Sequence, residues 1–428
     1  MALNYIWIGF FLVGLLVAII RVAGYFLQTH ADMIFGITFT HADRDVFQAI
    51  VQSTFHMAKT SVDLSIYLIG VMALWLGIMK IGEKGGAVTM LSKLVSPFFR
   101  KIFPEIPDKH PAMSSIMMNF CANMLGLDNA ATPFGIKAMQ DLQELNPKKD
   151  TASNAQIMFL VLNTSALTVI PISILAYRAA AHSANPAEVF LPLLLATFFS
   201  TMAGLIAVSI VQRINLFKPV VLLYLGVISG LIALLFLLLH NMSHARIGTF
   251  SIFSGNVILF FFIIFFLATG IFKRINVYEA FIEGAKEGFT VAVKIIPYLV
   301  AMLVGIGIFR ASGAFDMLLN GIAAVVSWMG FDTSFVPALP VALMKPLSGS
   351  GARGLLLELF ANPAYGPDSF AGRLASIFQG SSETTFYTVA VYYGAVNISK
   401  TRYTITCGLI ADLAGIIAAI FIGYYFFF

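Results

Sequence analysis

Gln379-Gly380-Ser381-Ser382-Glu383-Thr384-Thr385 interrupts an apolar run, 374–396, that is otherwise long enough to cross a membrane. Three more polar breaks share this character, the first and last of them containing glycine and proline: Gly126-Leu127-Asp128-Asn129-Ala130-Ala131-Thr132-Pro133, Asn163-Thr164-Ser165, and Lys345-Pro346-Leu347-Ser348-Gly349-Ser350-Gly351. Backbone N–H and C=O groups freed by such breaks cost several kcal/mol each in hydrocarbon, so they persist only where protein, water or a ligand satisfies them. Their pairing, two in each half of the chain, predicts a duplicated module with a solute site near mid-membrane.

The surrounding composition agrees. The chain has 428 residues, 59% hydrophobic and only 11% charged, with a mean hydropathy of +0.88, which excludes a soluble domain of this size. The net charge of +5 resides in short loops between apolar runs, as topology demands, and does not point to nucleic acid. The two cysteines, Cys121 and Cys407, sit inside apolar segments and form no CxxC pair. The first apolar run, 3–20, lacks a basic leader and reads as a retained helix.

Runs of about 18 apolar residues or more fall at 3–20, 62–79, 157–177, 190–210, 219–239, 252–271, 291–309, 374–396 and 403–425. Segments 112–139 and 335–360 are apolar at both ends and broken in the middle, which predicts re-entrant hairpins. Lys and Arg concentrate in 80–109, at Lys148 and Lys149, and at Arg213, Lys218, Lys273, Arg274, Lys400 and Arg402. Placing all of these inside requires the N-terminus in the cytoplasm and the C-terminus outside, in a bacterial inner membrane. The amphipathic stretches 46–59 and 277–289 are expected to lie at the interface before the chain turns inward.

A shift of 231 positions superposes Val46 on Val277, Ala49 on Ala280, Tyr67-Leu68 on Tyr298-Leu299 and Gly82 on Gly313. With small gaps, Ser165 meets Ser382 and Thr168 meets Thr385. The expected fold is an all-α polytopic membrane protein with two inverted repeats, each holding a re-entrant hairpin and a broken transmembrane helix. Its parts are an N-terminal helix and loop (1–41), repeat one (42–187), linking helices (188–275), and repeat two with a C-terminal helix (276–428).

Glu383 is the sharpest chemical candidate, because an ionisable side chain within a span faces a cavity or a partner. It reads as a ligand-coordinating or proton-carrying carboxylate, or else as a structural group paired with Lys345 or Arg353. Ser381, Ser382, Thr384 and Thr385 surround it with donors and acceptors. Ser348-Gly349-Ser350-Gly351 offers backbone N–H groups at a helix start, suited to an anion, with Lys345 alongside; the alternative is a tight turn whose cations snorkel outward. At the first tip Asp128, Asn129 and Thr132 supply oxygen ligands, or cap the helix, with Pro133 in its first turn. Asn163, Thr164 and Ser165 line the facing wall, or bond their own backbone. The seven histidines form no metal-binding pair, and no nucleophile–base set or phosphate loop is discernible, so neither enzyme nor cofactor is implied.

Through NMLGLDNAATPFGIKAM (residues 123–139) the first half resembles spore maturation protein A, and through GSSETTFYTVAVYYG (380–394) the second resembles spore maturation protein B. Both are members of the Gate, or nucleoside-recognition, family. The resemblance implies two hairpins and two broken helices around a solute, as in the similar plan of concentrative nucleoside transporters. The expected function is a secondary transporter of a small polar or anionic organic solute, nucleoside-like solutes included, working by alternating access with Glu383 as the proton-coupling group. The alternative is a non-transporting membrane scaffold in envelope or spore maturation. The expected partners are that solute and membrane lipid, with a homo-oligomer left open.

Overall fold

The computed structural model describes residues 2–28, 39–107, 110–126, 128–165, 167–240 and 242–428, and their side chains except at 2, 3, 28, 128–130, 244 and 245. An entry helix α1 (Ala2–Gln28) and a short α2 (His41–Arg44) precede the first repeat. That repeat comprises α3 (Val46–Gly85), α4 (Ala87–Ile102), the hairpin α5 (Pro111–Met124) and α6 (Asp128–Leu145), and the broken pair α7 (Asn154–Thr164) and α8 (Ile172–Ala180). Next come α9 (Phe190–Gln212), α10 (Pro219–His240) and α11 (His244–Phe272). The second repeat follows the same order: α12 (Val277–Ala311), α13 (Ala314–Trp328), the hairpin α14 (Leu339–Met344) and α15 (Gly349–Ala361), the broken pair α16 (Phe370–Gly380) and α17 (Thr385–Gly394), and finally α18 (Thr404–Phe427).

Among the described residues seven helices are long and apolar enough to cross a membrane, and the other two expected crossings are the broken pairs. The chain is a multi-pass helical membrane protein. Among the described residues the extended structure is one isolated bridge, between Thr151 and Lys400.

The two long helices α3 and α12 run antiparallel. Gly307 packs on Ser53 and Met57, Gly288 on Met72 and Ala73, and Gly284 on Leu76 and Lys80. Rising numbers on one helix thus meet falling numbers on the other. Under the 231-residue shift, the Gly307–Ser53 contact maps onto the Leu76–Gly284 contact, so the pair is related by an approximate two-fold axis and the repeats are inverted. Ala280, Gly284, Gly288 and Ala292, all buried, repeat every fourth residue and let the backbones approach closely. Lys80 completes the crossing with Glu283 and Glu287 (3.6 and 3.1 Å).

Local structure departs from expectation in several places. The amphipathic segments 46–59 and 277–289 do not turn before the spans: α3 and α12 are unbroken helices of 40 and 35 residues. No glycine or proline falls at the supposed corner 60–61, and Ser61 and Ser65 bond the carbonyls of Met57 and Ser61 one turn back. A 40-residue helix spans about 60 Å, twice the hydrocarbon thickness, so it must tilt or project. Gly82 lies inside α3 rather than matching Gly313; the conformational counterpart is Gly86, since Gly86 and Gly313 have φ of 84° and 86° between their helices. Only a residue without Cβ takes this left-handed geometry at little cost. Pro133 lies inside α6, not in its first turn, because that helix already begins at Asp128.

Candidate functional site

Each hairpin tip is tied to the break of its own repeat by backbone. The Met124 carbonyl at the first tip accepts from Val169 and Ile170 (2.8 and 3.3 Å), and the Pro346 carbonyl at the second accepts from Phe386 (3.1 Å). The tips come this close because they carry glycine. A Cβ on Gly126, whose φ is 72°, would fall 2.6 Å from the Ile170 carbonyl oxygen, and one on Gly349 would fall 2.7 Å from Thr384 Oγ1. The two breaks then meet each other: the Glu383 N–H donates to the Thr164 carbonyl at 2.6 Å. Helical bonds surrendered at the breaks are thereby recovered between repeats, as a membrane interior requires.

Two cavities open on either side of this junction. One of about 140 Å³ lies among α8, α15 and α16, and its polar lining includes Asn123, Lys345, Arg353, Gln379, Ser382, Glu383 and Thr384. The other, about 200 Å³, lies among α6, α7 and α17, with Asn123, Thr132, Asn163, Glu383, Tyr387 and Thr388 in its wall. Glu383 and Asn123 belong to both. The Glu383 side chain is exposed and forms no ion pair with Lys345 or Arg353, so it stands free between the cavities. A larger groove of about 760 Å³ is lined by apolar side chains of α9, α10 and α18 and lacks the polar breaks.

The cations of the second tip do not snorkel. Lys345 is 7% exposed, and the Arg353 guanidinium lies over the Tyr177 ring, 5.3 Å from its centroid. Ser348 is the N-cap of α15, accepting from the Gly351 N–H at 3.0 Å, while Ser350 lies 3.2 Å from the Ser348 hydroxyl. Neither serine lines either of these two cavities; both hold the turn. Asn163 and Thr164 form the last turn of α7 rather than the break itself, which runs from Ser165 to Pro171. Thr164 and Ser165 bond the Val161 carbonyl, and Ser381 bonds that of Phe378, so these three hydroxyls are internally satisfied. Thr385 is the first residue of α17 and donates to Asp412. Of the predicted residues, Lys345, Ser382, Glu383 and Thr384 share the first cavity and Thr132 and Asn163 the second. The side chains of Asp128 and Asn129 lie outside the described residues.

Sequence reasoning passed over Asn119, Asn123 and Asp412. Asn119 is fully buried, donates to the Ala131 carbonyl at 2.7 Å and accepts from Asn163 at 2.6 Å, pinning both hairpin arms to α7. Asp412 is a lone carboxylate in the last apolar helix, and the criterion that singled out Glu383 applies to it equally. Among the described residues, no group of three or more His, Cys, Asp or Glu is arranged to hold a metal ion.

A clasp closes the site at each end. At one end Lys400 bonds Asp150 at 2.7 Å and its carbonyl accepts from Ala152. At the other, fully buried Arg178 bonds Asp368 at 2.9 Å, Pro367 and Glu188, and Asp368 also accepts from Ser183 and the Ala184 N–H. Burial pushes the Asp368 carboxyl upward, but Ser183, Ala184 and Arg178 outweigh it and hold the group below its ordinary value of 3.8. A depressed folded value contributes stability above the unfolded value and loses it as pH falls through the folded one. Hydrogen exchange at 182–186 and 364–370 is therefore expected to accelerate below about pH 4; unchanged protection there down to pH 2 would show that Asp368 does not secure the clasp.

These features define a class: a duplicated, inverted-repeat membrane protein whose hairpin tips and crossed broken helices enclose polar cavities. The chain belongs to the Gate family, described as nucleoside recognition, whose model matches residues 65–181 and 292–399, just over half of its length. It is similar to Spore maturation protein B of Bacillus subtilis (strain 168), with 47% identity over 156 residues, covering 36% of this chain and 85% of that protein. It is likewise similar to Spore maturation protein A of the same organism, with 40% identity over 173 residues, covering 40% of this chain and 88% of that protein. One polypeptide thus unites both likenesses.

Proposed function

We propose that this protein is a secondary transporter of a small polar or anionic organic solute, working by alternating access with proton coupling at Glu383. The observation that carries this reading is the position of Glu383, free and shared by two cavities on opposite sides of the crossed breaks. A carboxylate so placed meets solute and water from either side. Lys345 and Arg353 give the first cavity two positive charges against Glu383, which favours a solute bearing negative charge or several acceptors. Alternating access then consists of releasing one clasp while the other stays shut, the exchange being centred on the fixed junction. The distribution of Lys and Arg in the loops supports a reading in which the Asp150–Lys400 end faces the cytoplasm of an inner membrane and the C-terminus faces outside.

The family description makes nucleosides and their phosphates the first solutes to try. In proteoliposomes the wild type should show saturable uptake that depends on a pH gradient. Glu383→Gln keeps size and polarity but removes the ionisable proton, so uptake should lose its pH dependence and fall by about a hundredfold, the lower end of the effect of removing a positioned proton-transfer group. Uptake and coupling that are unchanged in Glu383→Gln would remove this residue from the mechanism. Absence of flux for every solute, together with a binding protein retained by variants at Ser348, Ser350 and Glu383, would favour a scaffold.

A further inference from the structure

Asp412 lies on α18, beyond the residues matched by the family model, and is 3% exposed. Its Oδ2 accepts from Thr385 Oγ1 at 2.7 Å, whereas Oδ1 has no hydrogen-bond partner. Buried carboxylate oxygens are ordinarily satisfied, and an orphan calls for an explanation such as an ion. The Ser382 hydroxyl stands beside it, and the neighbouring charges are Lys345 and Glu383. Helices α7 and α9, both packed on α18, carry no ionisable side chain. The α16 helix contributes Arg373, engaged with Glu188 and the Phe427 ring, and α11 has Arg246 in its first turn. The α17 helix, also packed on α18, carries Tyr387, Tyr392 and Tyr393, and on its own helix the nearest titratable residue is Cys407.

The inverted repeat shows what a purely structural residue does at this position. Ser200 on α9 donates to the Ala411 carbonyl, Gly204 packs on Ala411, and Gly415 packs on Ser200. The pairs Ser200 with Ala411 and Gly204 with Gly415 are thus related by the two-fold, which makes Thr201 the counterpart of Asp412. Thr201 donates to the Ser165 carbonyl at 2.8 Å and satisfies the first break. At the second break a carboxylate stands in its place and brings an unsatisfied oxygen instead of a donor.

We propose that Asp412, with the hydroxyls of Ser382 and Thr385, is the seat of a small monovalent cation, either a proton or a sodium ion, that is taken up together with the solute. Lys345 links the two events. It lines the first cavity and also neighbours Asp412, so an anionic solute drawing the ammonium toward itself leaves Asp412 uncompensated and favours a cation on Oδ1. Solute and cation thereby bind with a shared coupling free energy, each strengthening the other. This deepens the transporter reading and uses the same break, but its test requires no transport.

Full-length protein in lipid nanodiscs, without solute, is examined in two arms: infrared difference spectra across steps of pH in potassium, and thermal unfolding as sodium replaces potassium at fixed pH. A carboxylic-acid carbonyl band that appears on acidification and vanishes in Asp412→Asn identifies a proton. Sodium-dependent stabilisation that vanishes in Asp412→Asn identifies a sodium ion. Thr385→Val, which removes one hydrogen bond to the carboxylate, should keep the response and displace its midpoint about tenfold in ion concentration. That variant and the wild-type titration decide the matter even if Asp412→Asn misfolds: a wild type with neither response overturns the proposal, as does a response unaltered by either substitution. Flux without any cation response would sink this inference alone, whereas a cation response without flux would sink the transporter reading and leave the site standing.

Discussion

Arg178→Ala is expected to destabilise the protein by about 3–5 kcal/mol, the characteristic cost of removing one partner from a buried ion pair. Arg178 is fully buried and Glu188 is 4% exposed, and the guanidinium also gathers Ser183, Asp368 and the Pro367 carbonyl. Alanine would leave Glu188 with Arg373 alone, at 2.9 Å, and would open a cavity where the segments 181–188 and 367–373 meet. The loss should appear as a lowered thermal midpoint of purified protein in detergent. Because the penalty is that of an uncompensated charge, Arg178→Met combined with Glu188→Leu should recover part of it. A double variant no more stable than Arg178→Ala would show that cavity formation rather than the stranded carboxylate is responsible.

Gly284→Leu should be comparably severe, through sterics instead of charge. Even the Cβ would lie 2.2 Å from the Leu76 carbonyl oxygen and 2.6 Å from the Lys80 Cβ. The first contact is with backbone, which cannot rotate away, so the whole of α3 must move from α12. Overpacking costs typically about 1–3 kcal/mol and more where backbone must shift, and here separation would also strain the bonds of Lys80 to Glu283 and Glu287. Loss of monodisperse protein is the expected result. Gly226→Leu on α10, with no atom near its Cβ position, should be tolerated, since leucine also favours helix over glycine; an equal loss there would show that close packing at Gly284 is not the cause.

Both outcomes depend on relations between repeats that the chain order suggests only partly. The hairpins, the broken helices and the inversion were legible because hydrocarbon penalises free backbone and charge so heavily that Gly380, Pro346 and the basic loops leave unmistakable marks. Helix ends were less so: the first break begins after Thr164, and α3 continues through the expected corner at 60–61. Local hydrogen bonds decide such details, and Ser61, Ser65, Thr164 and Ser165 all turned back onto their own helices. Among the site residues, Lys345, Ser382, Glu383 and Thr384 line one cavity, whereas Ser348 and Ser350 serve the turn. Asp412 lacks the mark of a backbone break because its own helix is unbroken.

The amino-acid order by itself determined that this is a membrane protein made of two inverted copies with polar interruptions at mid-depth, since hydropathy, loop charge and repeat spacing act along the chain. Only the tertiary structure decided which polar groups are free. The same hydroxyls and carboxylates can cap a helix, pair with a neighbour or face a cavity, and the choice depends on partners on other helices: Glu383 against Thr164 and Arg178 against Asp368, each more than a hundred residues apart, and Thr385 against Asp412, 27 residues on. The first two pairs meet only when the two copies pack together, and the bond from the Glu383 N–H to the Thr164 carbonyl replaces one that the broken helices gave up.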